Sequence, residues 1–134
     1  MWAPWRIGYV VGEKPCGCVF CRKLEANDDE ANLVLHRGGH CAIVLNTYPY
    51  NSGHLMVVPF EHVAEPASLS PEASAELWEL TQLAVQALKE ALDWQGVNIG
   101  MNLGEAAGAG IKDHVHMHIV PRWHGDTNYM TACA

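Results

Sequence analysis

The chain reads as an α+β domain on a mainly antiparallel sheet. Three observations point there. Five short apolar runs are bounded by glycine, proline and polar residues. One long amphipathic helix falls between the third and fourth of them. And 134 residues make one domain, large enough for a single core.

The elements follow in order. Residues 1–17 carry Pro and Gly and are expected to wrap the surface as an N-terminal arm of a single domain over 1–134. Residues 22–32 are polar, with Asn27, Asp28, Asp29 and Glu30 as a solvated turn. Residues 33–36 and 41–45 are strands around a Gly38–Gly39 turn, 48–53 is a loop, and 54–59 is the third strand. Ser70 is a good N-cap, Pro71 fits the first helical position, and Glu72 suits the positive end of the helix dipole. Leu77, Leu80, Ala84, Leu88 and Ala91 recur at helical spacing as a buried stripe, widened by Trp78, Val85 and Leu92. The helix ends near Asp93. A fourth strand spans 97–102, a Gly- and Ala-rich loop spans 103–111, and a fifth strand spans 114–120, ended by Pro121.

Charge narrows the partners. Lys and Arg number 8 against 15 Asp and Glu, a formal net charge of −7. That argues against a sequence-independent grip on DNA or RNA, which needs a basic surface to displace counterions. A small nucleotide stays open, because backbone N–H groups can hold phosphate. No apolar run approaches the length that spans a bilayer, and the N-terminus lacks the apolar stretch of a signal peptide, so a cytoplasmic protein is expected. Five cysteines include Cys16, Cys18 and Cys21 close together, a spacing that fits a reducing compartment and a metal better than a disulfide framework.

Histidine is the unusual entry in the composition: there are 8, as many as Lys and Arg together. His114, His116 and His118 alternate with Val115, Met117 and Ile119. Successive strand side chains point to opposite faces, so the three imidazoles share one face and the apolar residues anchor the other in a core. Two chemistries suit such a face. It can bind a metal, or neutral imidazole can attack phosphorus and form a covalent phosphoramidate, with its neighbours handling protons. The loop just before it, with Gly108 and Gly110, lacks bulk and can offer N–H groups to phosphate oxygens. That combination favours phosphorus chemistry. A nucleotide-binding module without turnover, and a metalloenzyme with three histidines on one ion, are the competing readings.

These residues resemble the histidine triad (HIT) family. His114-Val115-His116-Met117-His118-Ile119-Val120 matches its pattern, and Cys18–Cys21, Asn46, His54, Val57-Val58-Pro59, His62 and the stretch 102–110 look like its further landmarks in the right order. The two ends of the chain, Trp2 to Arg6 and Pro121 to Asn128, resemble the branch of diadenosine polyphosphate phosphorylases and ATP adenylyltransferase-like members. The resemblance implies a homodimer in which two five-stranded sheets meet. It implies nucleotidyl hydrolysis or transfer at the α-phosphate of adenosine polyphosphates, such as diadenosine polyphosphates, or of nucleoside phosphoramidates, through a covalent nucleotidyl-histidine. Carried over, His116 is the nucleophile and His118 meets the phosphate or leaving group. Asn102, Gly108 and Gly110 position the phosphate, and Asn46 the ribose. Many relatives place Gln or Ser before the triad, where this chain has Gly110-Ile111-Lys112, so a side-chain donor to the bridging oxygen is missing. Relatives of this branch usually continue beyond the point matching Ala134.

Cys18 and Cys21 have structural-zinc spacing, and the resemblance supplies His62 and His114 as the other two ligands. His114 thus has two competing expectations: zinc ligand, or hydrogen-bond partner of His54 in an orienting chain.

Overall fold

The computed structural model describes residues 17–46, 53–111 and 113–126. The expected N-terminal arm except residue 17, the loop over 47–52, Cys16, Lys112 and Cys133 lie outside the described residues. The elements are α1 (Val19–Glu25), β1 (Val34–Arg37), β2 (Cys41–Leu45), β3 (Leu55–Pro59), a 3-10 turn at Pro66–Ser68, α2 (Pro71–Leu92), β4 (Gly96–Gly100), a second 3-10 turn at Glu105–Ala107, and β5 (Met117–Arg122). The sheet runs β1-β2-β3-β5-β4 with every neighbouring pair antiparallel, as the sequence leads one to expect.

Strand alternation divides the core into two layers. Cys41 and Ile43 of β2, Leu55 and Val57 of β3, and Val115 and Ile119 face α2, whose Ala73, Leu77, Leu80, Ala84 and Leu88 complete that layer. Ala42, Val44, Met56 and Val58 point the other way, against Cys18, Phe20, Cys21 and Leu24 of the α1 region. Strands β2 and β3 are covered on both faces, which explains their unbroken apolar runs.

Helix α2 begins as predicted. The Ser70 side chain accepts from the Ala73 N–H at 3.1 Å, Pro71 opens the first turn, and Asp93 closes the helix in the left-handed conformation. The stripe is narrower than expected. Trp78 is 52% exposed and Leu92 37% exposed, and Ala91 is exposed too. Trp78 sits one residue, roughly 100° of helix, from Leu77 and faces solvent. Ala91 and Leu92 fall beyond Leu88, the last buried position of the helix. Thr81 joins the buried side instead, its hydroxyl donating to the Leu77 carbonyl at 2.7 Å.

Glu76 of α2 holds the Gly38–Gly39 turn. Its carboxylate accepts from the N–H groups of Gly39, His40 and Cys41 at 3.2, 2.7 and 2.7 Å. Desolvation pulls this carboxyl up, but those three bonds outweigh it and hold the group below the usual range. A Cβ at Gly38 would collide with the Glu76 carboxylate, so a side chain there would push that carboxylate away from its three donors.

Both limits of the fifth strand differ from expectation, for reasons the register supplies, and the fourth strand ends at Gly100, two residues before the expected 102. The ladder of β5 begins at Met117, opposite Val57. Before it, the Val115 N–H donates to the Val63 carbonyl at 2.7 Å, so His114, at a bend in the chain, and His116 stand ahead of the ladder. Pro121 does not end the strand, which continues to Arg122. Pairing with β3 stops at Ile119, while β4 pairs as far as Arg122. Proline is tolerated where a strand has one neighbour only. Helix α1 forms where no helix is expected from the sequence.

Candidate active site and metal cluster

The alternation of the histidine segment survives its irregular start. Val115 and Ile119 face α2, while His114, His116 and His118 lie on the α1 side, 0, 7 and 8% exposed. The three rings are then directed three different ways.

His116 has a forced tautomer. Its Nδ1 lies 2.9 Å from the carbonyl oxygen of His114, which can only accept, so Nδ1 carries the proton. Nε2 keeps its lone pair. Burial lowers the pKa of this ring, which favours the neutral form. Phe20 packs edge-on against it, with centroids 4.7 Å apart at 60°, and His118 does so from another side at 4.7 Å and 69°. Phe20 is 2% exposed and also meets His114 at 5.5 Å. Phe20 is not among the site residues expected from the sequence. Its one signal was a large apolar residue between two metal-spaced cysteines.

His118 turns to His54. Its Nδ1 is 2.9 Å from His54 Nε2, and His54 Nδ1 is 3.2 Å from the side-chain nitrogen of Asn46. Burial, with smaller contributions from neighbouring imidazoles, pushes His118 down to about 3 and His54 down to about 4. The expected partnership of His54 with His114 is therefore not what the structure contains. Met56 stands opposite His118 in the ladder, so His54, two residues from Met56 on the same face, is the diagonal neighbour of His118. His114 lies at the other end of that face.

His114 turns to the cysteines. Its Nε2 donates to the Pro59 carbonyl at 2.8 Å, which leaves the Nδ1 lone pair free. That Nδ1 lies 3.3 Å from Cys18 Sγ, 3.6 Å from Cys21 Sγ and 3.2 Å from His62 Nδ1, and Cys21 Sγ is 3.4 Å from His62 Nδ1. All four donor atoms lie within 4.8 Å of one another. A tetrahedral zinc with ordinary Zn–N and Zn–S bonds sets its ligand atoms roughly 3.3 to 3.8 Å apart. The cluster fits such an ion in donor type, spacing and the carbonyl that fixes His114 from behind. The Cys18 thiol is brought down to about 3, chiefly by a hydrogen bond from the Cys21 side chain and further by His114, against the upward pull of burial. Cys18 is also the N-cap of α1, its sulfur accepting from the Cys21 N–H at 3.4 Å. One short helix thus presents both sulfurs and carries Phe20 to the nucleophile side of the same face.

The glycine loop is placed less directly. Asn102 and Gly108 are half-buried between β4 and the histidines, and Gly110 is exposed. Gly108 has φ +90°, and its N–H donates to the Glu105 carbonyl at 2.9 Å, while the Ala109 N–H donates to Gly104 at 3.1 Å. The expectation that Gly108 offers its N–H to phosphate meets a donor already engaged inside the loop. Gly110 borders a cleft of about 330 Å³ together with Gly17, Cys18, Val19, His62, Ile111 and Asp113. A Cβ on Gly110 would meet nothing within 4 Å. The described helices include none long and apolar enough to cross a membrane.

The chain is similar to known proteins. The family model of the HIT domain matches residues 27–125. The chain is 40% identical over 139 residues to an AP-4-A phosphorylase of Mycobacterium tuberculosis, covering 98% of this chain and 71% of that protein. It is 30% identical over 105 residues to the adenylylsulfatase HINT3 of Arabidopsis thaliana, covering 78% of this chain and 52% of that one. Among solved structures, a Zn-bound histidine triad family protein from Mycobacterium smegmatis superposes with a TM-score of 0.70 at 27% identity, covering 87% of each chain. With its sheet, its histidine face and these matches taken together, this chain belongs to the HIT, or histidine triad, family.

Proposed function

We propose that this chain is a nucleotidyl transferase or hydrolase that acts at the α-phosphate of adenosine polyphosphates, diadenosine polyphosphates among them. The observation that carries the reading is the tautomer of His116, protonated on Nδ1 by the His114 carbonyl and open at Nε2. The family match and the AP-4-A phosphorylase relative support the substrate class. His116 Nε2 attacks the α-phosphorus, an N–P bond forms, and the bond from phosphorus to the bridging oxygen breaks. His118 hydrogen-bonds the phosphate or the departing oxygen. Water or phosphate then attacks the nucleotidyl-histidine and frees the imidazole. Asn46 meets the ribose, and Asn102 with the loop carrying Gly108 and Gly110 shapes the phosphate site. Gly108 contributes its left-handed backbone, and Gly110 lets a phosphate approach the main chain.

The competing metalloenzyme reading loses its geometry. His114 joins the cysteines, His116 bonds a carbonyl and His118 bonds His54, so the three rings do not converge on one ion. Zinc instead fits Cys18, Cys21, His62 and His114. When bound there it supplies a structural cross-link between α1, the segment after β3 and the start of the histidine segment. A homodimer with two sheets meeting is supported by β4, an edge strand with Ile99 42% exposed. A cytoplasmic setting suits the paired thiols.

The test is incubation with diadenosine tetraphosphate, with and without phosphate. An adenylyl adduct on His116 and ADP as the phosphate-dependent product identify a phosphorylase, and AMP a hydrolase. Unchanged turnover in His116→Ala would overturn the mechanism.

A further inference from the structure

We propose that Asn46 is a positioning residue: through His54 it fixes the proton of His118 on Nε2 and so makes His118 a hydrogen-bond donor toward the substrate. This rests on the function proposed above for the role of His118, but the proton placement is a property of the free protein.

A neutral imidazole has one N–H and one lone pair. Two neutral imidazoles joined by a single bond therefore admit two patterns, with the shared proton on either ring. The low basicity of both buried rings keeps His54 and His118 neutral. The end of the chain decides between the patterns, and that end is Asn46. Its side-chain nitrogen, a donor with no lone pair to offer, lies 3.2 Å from His54 Nδ1. His54 Nδ1 must then accept, and His54 carries its proton on Nε2. That proton points at His118 Nδ1, 2.9 Å away. His118 Nδ1 accepts in turn, and the His118 proton is left on Nε2.

Backbone geometry holds the chain in place. The Asn46 N–H donates to the His54 carbonyl at 2.9 Å, so the end of β2 and the start of β3 are tied at these two residues. The outcome complements the neighbouring ring. His116 is held from behind by a carbonyl, which can only accept, and so exposes a lone pair. His118 is held from behind by an amide nitrogen, relayed through His54, and so exposes a donor. Adjacent imidazoles thereby receive opposite assignments, one nucleophile and one hydrogen-bond donor, at rings 4.7 Å apart. With the opposite pattern at His118, two lone pairs would face an anionic substrate.

The experiment is nitrogen NMR on the ¹⁵N-histidine-labelled full chain, which reads the protonated nitrogen of each ring. In the wild type, His54 and His118 are expected as single Nε2–H tautomers and His116 as Nδ1–H. In Asn46→Leu, which keeps the bulk and loses the amide, His54 and His118 are expected as mixtures. His116 should keep its Nδ1–H signal, because the His114 carbonyl is untouched, and that signal reports that the site is still folded. In turnover assays kcat should fall with the fraction of His118 lacking its Nε2 proton, about twofold for an even mixture. Loss of the ribose contact proposed for Asn46 raises KM in addition, so the fall in kcat is what reads the His118 proton. A wild-type His118 protonated on Nδ1, or a His118 unchanged in Asn46→Leu, overturns the proposal. Because the spectra are taken without nucleotide, failure to turn over diadenosine tetraphosphate would count against the proposed function and leave the Asn46 result standing.

Discussion

Acid should destabilise this fold through the histidine pair, and His54→Gln should remove a measurable part of that loss. His54 and His118 start from 6.5 in the unfolded chain and are held near 4 and 3 in the folded one, chiefly by burial. Above 6.5 both states leave the rings neutral, and the full stability is present. As pH falls below 6.5 the unfolded chain takes up protons that the folded chain refuses, so stability drops until the folded pKa is reached. At pH 5 the cost is about 2 kcal/mol for each ring. Urea unfolding at pH 7 and pH 5 measures it. His54→Gln, which takes no proton in either state, should lose about 2 kcal/mol less than the wild type over that interval. Comparing the two losses cancels titration common to both proteins, that of the cysteine cluster included. Equal losses would refute the idea that His54 is buried in neutral form.

Other substitutions probe the parts that hold the site. Cys21→Ser should cut bound zinc, measured by mass spectrometry under native conditions, from about one per chain to a small fraction, with a lower melting temperature. Phe20→Ala opens a cavity beside His114 and His116 and should cost about 3 to 5 kcal/mol in urea unfolding; a cost under 1 kcal/mol would contradict its packing role. Glu76→Ala strips three backbone N–H groups of their acceptor at the rim of the fold and should cost about 1 to 2 kcal/mol, with activity per folded molecule unchanged.

The strands and the long helix were legible because their signals are local. Glycines separate β1 from β2, and Ser70-Pro71 announces α2. Helix α1 was not legible, since seven residues carry too little periodicity and its N-cap is a cysteine, outside the usual capping residues. The alternation of His114, His116 and His118 correctly put all three on one face. Where each ring turns was not legible, because it depends on register. Only the pairing of Met56 with His118 reveals that His54 meets His118, 64 residues away, and not His114. The engaged Gly108 amide is similar: the sequence shows a flexible residue, and only the fold shows that its N–H closes a turn. The metal cluster lay between these cases. Cys18 and Cys21 declared themselves by spacing, while His62 and His114 needed the family resemblance and are brought within reach by the fold.

In the proposed reaction His116 carries the nucleotide. The most direct measurement is the intact mass and peptide map of the full chain quenched soon after mixing with diadenosine tetraphosphate. One adenylyl group is expected, acid-labile as a phosphoramidate and mapped to His116, absent in His116→Ala. Turnover with no adduct at any quench time, together with activity retained in His116→Ala, would contradict it.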